Sequence, residues 1–244
     1  MKLLSLTLAL LVGSLTVSRA EDAISHPVRA TYKTPIRQQE MREASAGSLR
    51  MRPPAVSTVT VNDGLIVINV PIAVLGGSDA LLARWQEGIN RTWNFGNDGA
   101  AFTVCSRAVV FNAQFTLRRS PAAMSPDAHV VVVEDVKPGQ THTSRVWHAL
   151  GTSPTYSART GFWGSDADGA TAAHEFGHLL GLLDEYVESE TGLRAPGERP
   201  VPNEARYPDA WLSLMAQEHG SVLERHVREV VRIHGAAHAL ACEQ

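Results

Sequence analysis

The sequence contains few cysteines and little net charge, and each shortage excludes a class of protein. Two cysteines among 244 residues cannot build a disulfide-dense scaffold or a cysteine-rich zinc module. A formal net charge of −3 gives no strong electrostatic case for binding nucleic acid, and the sequence has no solenoid or propeller repeat. Hydrophobic residues make up 44 % and charged residues 19 % of the chain, so we expect one globular domain rather than a disordered protein.

The one long hydrophobic run lies at the N-terminus, at residues 3–17. Lys2 precedes it, and Ser18-Arg19-Ala20 places small residues before a cleavage point, which predicts a secretory signal peptide over residues 1–20. A membrane anchor is the alternative, but the run is shorter than the roughly 20 residues that a span requires. We therefore expect a secreted or periplasmic protein with no membrane segment after cleavage.

Export matters for Cys105 and Cys242, because disulfides persist outside the cytoplasm. We expect a disulfide between them, with two separate buried thiols as the alternative. Such a bridge closes a very long loop and stabilises the folded chain by about 4–5 kcal/mol in the chain-entropy model.

Residues 21–55 differ from the rest of the mature chain because they carry four prolines and no sustained hydrophobic period. This composition predicts a leader or linker. An inhibitory propeptide is the alternative, and the absence of cysteine from the segment excludes a thiolate that latches onto a metal. Residues 56–244 are predicted to form the folded domain.

The order of strands and helices in residues 56–244 predicts an α+β fold with a single mixed sheet, a helix over residues 168–180 and a C-terminal helix. Asn62-Asp63-Gly64 is a hairpin signal between the first two strands. Ser78 is an N-cap signal ahead of a leucine, isoleucine and tryptophan stripe at helical spacing, which indicates core packing. Residues 137–167 are rich in glycine and proline and are predicted to be loop-rich. Strands are predicted at residues 56–61, 65–74 and 128–136, one long or two short strands at 101–117, and helices at residues 79–95, 168–180 and 217–238.

The second predicted helix carries residues suited to chemistry. His174 and His178 are one turn apart on the same face, so both imidazoles can bind one zinc ion at about 2.0–2.1 Å. Glu175 flanks them and suits a general base acting on water. Gly181 can adopt the left-handed conformation that ends a helix, and Asp184 follows where a third ligand is needed. These residues predict a catalytic zinc site with an open position.

The third ligand is less firmly predicted than the two histidines. Asp184 has the expected spacing, and Glu185, His219 and His226 are the alternatives. A chance H-E-x-x-H on a solvated helix face is the competing interpretation, but the glycine and aspartate at these spacings favour a metal site.

Four further polar residues near the motif have two interpretations each. Tyr186 and Tyr207 are candidate donors to an oxyanion, or ordinary packed side chains. Asp166 and Asp168 precede the helix and suit helix capping better than calcium binding.

The string H-E-x-x-H-x-x-G-x-x-D at residues 174–184 resembles the signature of the metzincin zinc metallopeptidases, in the minority form that ends in aspartate, as in snapalysin-like bacterial enzymes. The sequence Asp184-Glu185-Tyr186 is similar to the D-E-Y ending of some bacterial metallopeptidases. The resemblance implies a metzincin-like fold and a secreted zinc endopeptidase in which Glu175 is the catalytic base. It is specific over the motif and does not extend to residues 21–55.

The same resemblance implies two structural features around the site. A methionine turn is expected beneath the zinc, and Met215 is the candidate because the other methionines of the mature chain precede the helix. Extended peptide substrate is expected to pair with an edge strand, for which residues 128–136 are the candidate.

Two other functions stay open at the level of sequence. One is a metallohydrolase acting on non-peptide amides or cell-wall peptides, which the lack of a wall-binding repeat disfavours. The other is a catalytically silent zinc-binding interaction module. Glu175 argues against the silent module, because a structural zinc site needs no general base and usually has four protein ligands. The sequence predicts no oligomeric state.

Overall fold

The computed structural model describes residues 24–29, 56–62, 64–96, 98–120, 128–137, 140, 143–147, 160–187, 200–217 and 219–233. The strands are β1 (Ile24–Arg29), β2 (Val56–Asn62), β3 (Leu65–Leu75), β4 (Thr103–Val104), β5 (Arg107–Arg118), β6 (His129–Glu134), β7 (Arg145–Trp147), β8 (Thr160–Gly164), β9 (Tyr186–Val187) and β10 (Val201–Pro202). The helices are α1 (Asp79–Trp93), α2 (Gly169–Leu179) and α3 (Glu224–Ile233), with a 3₁₀ turn at Ala210–Leu212. Residues 1–20 and most of the predicted leader lie outside the described residues, so the signal peptide stays a prediction.

Eight of the strands form one curled mixed sheet, which confirms the predicted α+β class. β3 pairs in parallel with β5 along its whole length, and β6 pairs in parallel with β3 and β8. The pairs β1–β2, β2–β3, β4–β5 and β7–β8 are antiparallel, and β9 and β10 form a separate two-stranded ribbon. Within the described ranges, every helix is too short or too polar to traverse a lipid bilayer.

β3 is the central strand of the hydrophobic core. Its alternate residues Ile66, Ile68, Val70, Ile72 and Val74 are fully buried, as expected from the period of two in an extended chain. One edge of β3 pairs with β5, while the other edge pairs first with β2 and then with β6. The strands β4 and β5 therefore lie on one side of β3, and the other strands of the sheet lie on its other side.

Helix α1 attaches α2 to this core. Ser78 caps α1 by accepting a hydrogen bond from the Leu81 amide at 3.3 Å, as predicted. The hydrophobic stripe predicted on α1 is buried. Its two tryptophans form hydrogen bonds with the backbone of α2 and of the segment just before it. Trp85 Nε1 donates to the Ala167 carbonyl at 3.0 Å, and Trp93 Nε1 donates to the Ala173 carbonyl at 2.8 Å. The indoles thereby set the position of α2 along α1.

The two helices cross at a pair of glycines, one on each helix. A Cβ built at Gly88 would lie 2.3 Å from the Cα of Gly169, closer than carbon atoms can approach. Only glycine at both positions allows the helix backbones to come this close.

Helix α2 begins at the predicted cap. The Asp168 carboxylate accepts hydrogen bonds from the amides of Ala170 at 3.0 Å and Thr171 at 2.8 Å. These bonds, with that from the Thr171 amide largest, outweigh burial and hold the pKa of Asp168 below its ordinary value. Asp168 thus serves as a helix cap, as the sequence favoured.

Asp168→Ala is expected to lower the free energy of unfolding by about 1 kcal/mol at pH 7, because the first turn of α2 loses its side-chain acceptor. The folded-state pKa is depressed, so this stabilisation is present above the unfolded-state pKa of about 3.9 and is lost as pH falls through the folded-state value. Urea denaturation of the metal-free protein measures the free energy of unfolding at pH 7 and pH 3. The difference between wild type and Asp168→Ala should be smaller at pH 3. Asp166→Ala, at an exposed position outside the cap, is the matched control. An equal loss in both variants would contradict the capping role.

The region predicted to be loop-rich contains two strands, β7 and β8. No strand was predicted in this loop-rich region, since β7 is only three residues long and β8 contains two glycines, so neither gives a clear strand signal. Gly161 packs closely against Trp163, since a Cβ there would lie 2.7 Å from Nε1 and the buried indole would have to shift.

β6 is an interior strand, so the prediction that residues 128–136 form the substrate-binding edge is wrong. It pairs with β3 on one side and with β8 on the other. Its unbroken valine run is typical of a strand that is covered on both faces. In the described part of the chain, the edge strand on the β6 side of the sheet is β7, which pairs only with β8.

Two further boundaries differ from prediction. α3 begins at Glu224 rather than at residue 217, because Ser221 forms a bridge with Ser213 and its backbone pairs with Leu212 and Leu214. At the other end of the chain, Ile24–Arg29 lies within the predicted leader and adds β1 to the sheet against β2. No strand was expected there.

Candidate metal centre

Helix α2 places two histidines in the interior of the protein. Every residue from 172 to 179 is buried, including His174, Glu175 and His178. The two imidazole rings lie 4.9 Å apart between centroids and are nearly perpendicular, at 86°. The helix therefore presents both rings on one side, as the i, i+4 spacing predicts.

The turn that ends α2 is set by Gly181, which has a φ of +106°. The Gly181 amide donates to the His178 carbonyl and the Leu182 amide donates to the Gly177 carbonyl, both at 3.0 Å. This is the Schellman arrangement, in which a residue with positive φ reverses the chain at a helix end. The reversal brings Asp184 back to the two histidines.

Three donor atoms converge at this point. The Asp184 Oδ1 atom lies 3.4 Å from His174 Nε2 and 3.2 Å from His178 Nε2. Donors at 2.0–2.1 Å from a tetrahedral zinc ion lie about 3.4 Å from one another, so the spacing fits such an ion. In the described residues, His174, His178 and Asp184 form the group that can hold a metal ion.

The other ring nitrogen of each histidine is held by a backbone carbonyl. His174 Nδ1 lies 2.7 Å from the Leu214 oxygen, and His178 Nδ1 lies 3.0 Å from the Leu182 oxygen. A carbonyl oxygen only accepts, so each Nδ1 carries a proton, and in the neutral ring each Nε2 presents a lone pair toward Asp184. Such backbone partners fix the tautomer and orientation of metal-binding histidines.

Asp184 is in the form that binds cations. Burial would raise the pKa of Asp184, but the positive charge that His178 carries when protonated and the contacts with both imidazoles lower it well below its usual range. The buried Oδ1 atom forms no hydrogen bond of good geometry. A buried carboxylate oxygen with this surrounding is best satisfied by a cation.

Met215 lies directly against α2. It is fully buried, and a Cβ built at Gly177 would lie 2.5 Å from its sulfur. The Met215 amide donates to Ser213 Oγ at 3.0 Å, and the preceding carbonyl, that of Leu214, is the one that holds His174. The segment that contains Met215 therefore supports the helix between the two histidines.

The alternative third ligands do not belong to the donor group found in the described residues. Both carboxylate oxygens of Glu185 face α3, with Oε1 3.1 Å from His226 Nε2 and Oε2 paired to Arg225. Burial raises the pKa of Glu185, but hydrogen bonds from His226, Ser213 and Arg225, and the charge that His226 carries when protonated, lower it to about 2. His219 is exposed.

Ser213, His226 and Glu185 do not form a nucleophilic triad. Both the serine hydroxyl, at 3.2 Å, and the carboxylate, at 3.1 Å, contact the same imidazole nitrogen, Nε2. A Ser–His–acid triad requires the serine and the acid on opposite nitrogens. Sequence reasoning did not find this buried cluster, and no spacing rule joins its three segments.

The remaining candidates have the following positions. The ring of Tyr207 lies under the guanidinium groups of Arg206 and Arg225, at 5.3 and 5.7 Å. Tyr186 begins β9. Cys105 is disulfide-bonded, whereas Cys242, the other cysteine of the chain, lies outside the described residues.

Comparisons with known proteins do not identify a family. No protein-family model matches the chain, and no curated protein matches it. A solved structure described as a chaperone–substrate complex is similar over 57 % of this chain and 28 % of that chain, with 15 % identity and a TM-score of 0.31. A likeness at this TM-score defines neither fold nor function.

Proposed function

We propose that this protein is a secreted, zinc-dependent endopeptidase of the metzincin type. The observation that carries the proposal is the convergence of His174 Nε2, His178 Nε2 and Asp184 Oδ1, with Glu175 buried on the same helix. Two imidazoles and one carboxylate leave a coordination position for water or substrate, which is the arrangement of catalytic rather than structural zinc sites.

Glu175 favours zinc over other metals, because a glutamate can transfer the protons that hydrolysis requires. Two histidines and a carboxylate also suit ferrous iron in oxygenases. Glu175, a buried glutamate that directly follows His174 on α2, supplies acid–base chemistry, which hydrolysis needs. The proposed metal is therefore the hydrolytic one.

Glu175 moves protons in the proposed reaction. A bound zinc ion supplies Lewis acidity, which lowers the pKa of a water molecule and polarises a carbonyl group. Glu175 accepts a proton from the attacking water and then donates it to the nitrogen of the departing amine. His174 and His178 take no proton in this scheme, since their Nδ1 protons stay with the Leu214 and Leu182 carbonyls.

The substrate is proposed to bind as an extended segment along β7. This strand pairs with β8 on one side, and it contacts α2. Val146 is buried against the core, which fixes the middle of the strand. Among the residues that the structure describes, the other edge of β7 has no paired strand, and backbone groups along such an edge can pair with a peptide and hold its carbonyl near the donors.

The proposal is tested with the full chain loaded with zinc and an unfolded protein as substrate. We expect cleavage that stops when a chelator removes the metal and returns when zinc is restored. His178→Ala should lose both the zinc and the cleavage, whereas Glu87→Gln, at an exposed position on α1, should keep both.

Other outcomes would replace the proposal. Hydrolysis of small amides or cell-wall peptides, with no cleavage of unfolded protein, would make the protein a different metallohydrolase. Zinc binding without hydrolysis of any of these substrates would make it a binding module.

A further inference from the structure

Glu185, the residue after the proposed metal ligand Asp184, is held at every polar group it has. Its amide donates to the Met215 carbonyl at 2.8 Å, and its carbonyl accepts from the Asn203 amide at 2.8 Å. Its carboxylate oxygens contact His226 and Arg225. The residue is 6 % exposed, so these contacts replace water almost completely.

Arg225 and His226, which contact the Glu185 carboxylate, are adjacent residues in the first turn of α3. The Leu223 amide donates to His226 Nδ1 at 3.1 Å, so Nδ1 is an acceptor and Nε2 carries the proton that goes to Glu185. Arg225 extends the contact by pairing Nη1 with Asp209 Oδ2 at 2.7 Å. The start of α3 is therefore attached to the main chain beside the metal group.

Burying these charged groups costs desolvation free energy that an apolar core would not cost. Burying a carboxylate with a guanidinium is often no more stabilising than burying apolar side chains of the same size. The cluster does, however, fix both the chain of Glu185 and, through Ser213, the turn that contains Met215. Each of these segments supplies or orients a metal donor: Asp184 in one case and the carbonyl that holds His174 in the other.

We propose that Glu185, clamped by Arg225 and His226, is a positioning residue that orients Asp184 toward the metal and couples metal affinity to the docking of α3. The inference rests on the metal site of the proposed function but not on its peptidase activity. Because linkage is reciprocal, metal binding then stabilises α3 by the same free energy that docked α3 adds to metal binding.

The decisive variant is Arg225→Gln, because two explanations predict opposite changes in its affinity for zinc. If only the electric field mattered, removing a positive charge near the site would strengthen the binding of a cation. If Arg225 positions the donors, its loss should weaken zinc binding by about 10- to 100-fold, as for other residues that orient metal ligands. Arg225→Lys, which keeps the charge but not the forked geometry, should fall between wild type and Arg225→Gln.

Zinc affinity of the full chain is measured by competition with a chromophoric chelator, and folding is checked by circular dichroism at the same temperature. Glu224→Gln is the matched control, because it breaks the exposed Glu224–Arg228 ion pair on the same helix without touching the cluster. Hydrogen exchange provides the second readout: zinc should slow exchange of α3 amides in wild type and in Glu224→Gln, and much less in Arg225→Gln.

The possible results separate this inference from the proposed function. Zinc binding by Arg225→Gln as tight as or tighter than wild type would overturn the positioning role and leave the peptidase proposal intact. Wild-type protein that binds zinc, responds to Arg225→Gln as expected and cleaves nothing would overturn only the peptidase. Wild-type protein that binds no zinc would overturn both.

Discussion

Replacing Glu175 by glutamine is expected to lower kcat for peptide hydrolysis about 10²- to 10⁴-fold while zinc stays bound. Glutamine has nearly the same size and is accommodated in the same buried position on α2, but its amide cannot accept a proton from water at neutral pH. The three donor atoms belong to other residues, so the metal content should stay at one zinc per chain.

The measurement combines steady-state cleavage of a peptide with metal analysis of the same sample. Glu87→Gln, which makes the same chemical change at an exposed site on α1, should retain wild-type kcat. Full activity in Glu175→Gln would remove Glu175 from the mechanism. Loss of zinc together with activity would assign Glu175 to the metal group instead.

Gly88→Ala is expected to destabilise the fold by about 3 kcal/mol, at the upper end of the usual range for overpacking. The added methyl group would meet the Gly169 Cα at 2.3 Å and its carbonyl oxygen at 2.4 Å. These are backbone atoms, so no flexible side chain can move aside, and the two helices must separate. Separation would also stretch the Trp85 and Trp93 hydrogen bonds to the backbone of α2 and its entry.

Helix propensity makes the sign of this effect informative. Alanine is favoured over glycine by about 1 kcal/mol inside a helix that has room for it. Asn90→Ala, at an exposed position of the same helix, should therefore change the urea midpoint little or raise it. A midpoint for Gly88→Ala at or above wild type would show that the crossing is not tightly packed. Weaker zinc binding is expected alongside the lower stability, because α2 carries both histidines.

The donor residues were predictable because their relation is local. His174 and His178 share a helix face through its 3.6-residue period, and Gly181 ends the helix at a fixed distance before Asp184. The α1 cap and stripe were predictable for the same reason. Interactions of this kind depend on residues within a few positions of one another.

The structural features that the sequence did not predict depend on contacts between distant segments of the chain. Nothing in the local pattern of Glu185 indicates that its partners are Arg225 and His226, some 40 residues later. The start of α3 was placed too early because residues before Glu224 look helical, whereas Ser221 pairs with the segment around Leu214. The valine run of β6 did contain evidence of an interior strand, since strands covered on both faces lack polar alternation.

The local origin of the donors also sets the order in which the site is assembled during synthesis. His174, His178 and Asp184 leave the ribosome within one short stretch, so gathering them around a metal closes only small loops. Leu214, Arg225 and His226 emerge later. A nascent chain that ends before α3 has every donor atom of the candidate site and lacks Arg225 and His226. Under the positioning role proposed for Glu185, tight metal binding therefore requires that the C-terminal part of the protein has been made.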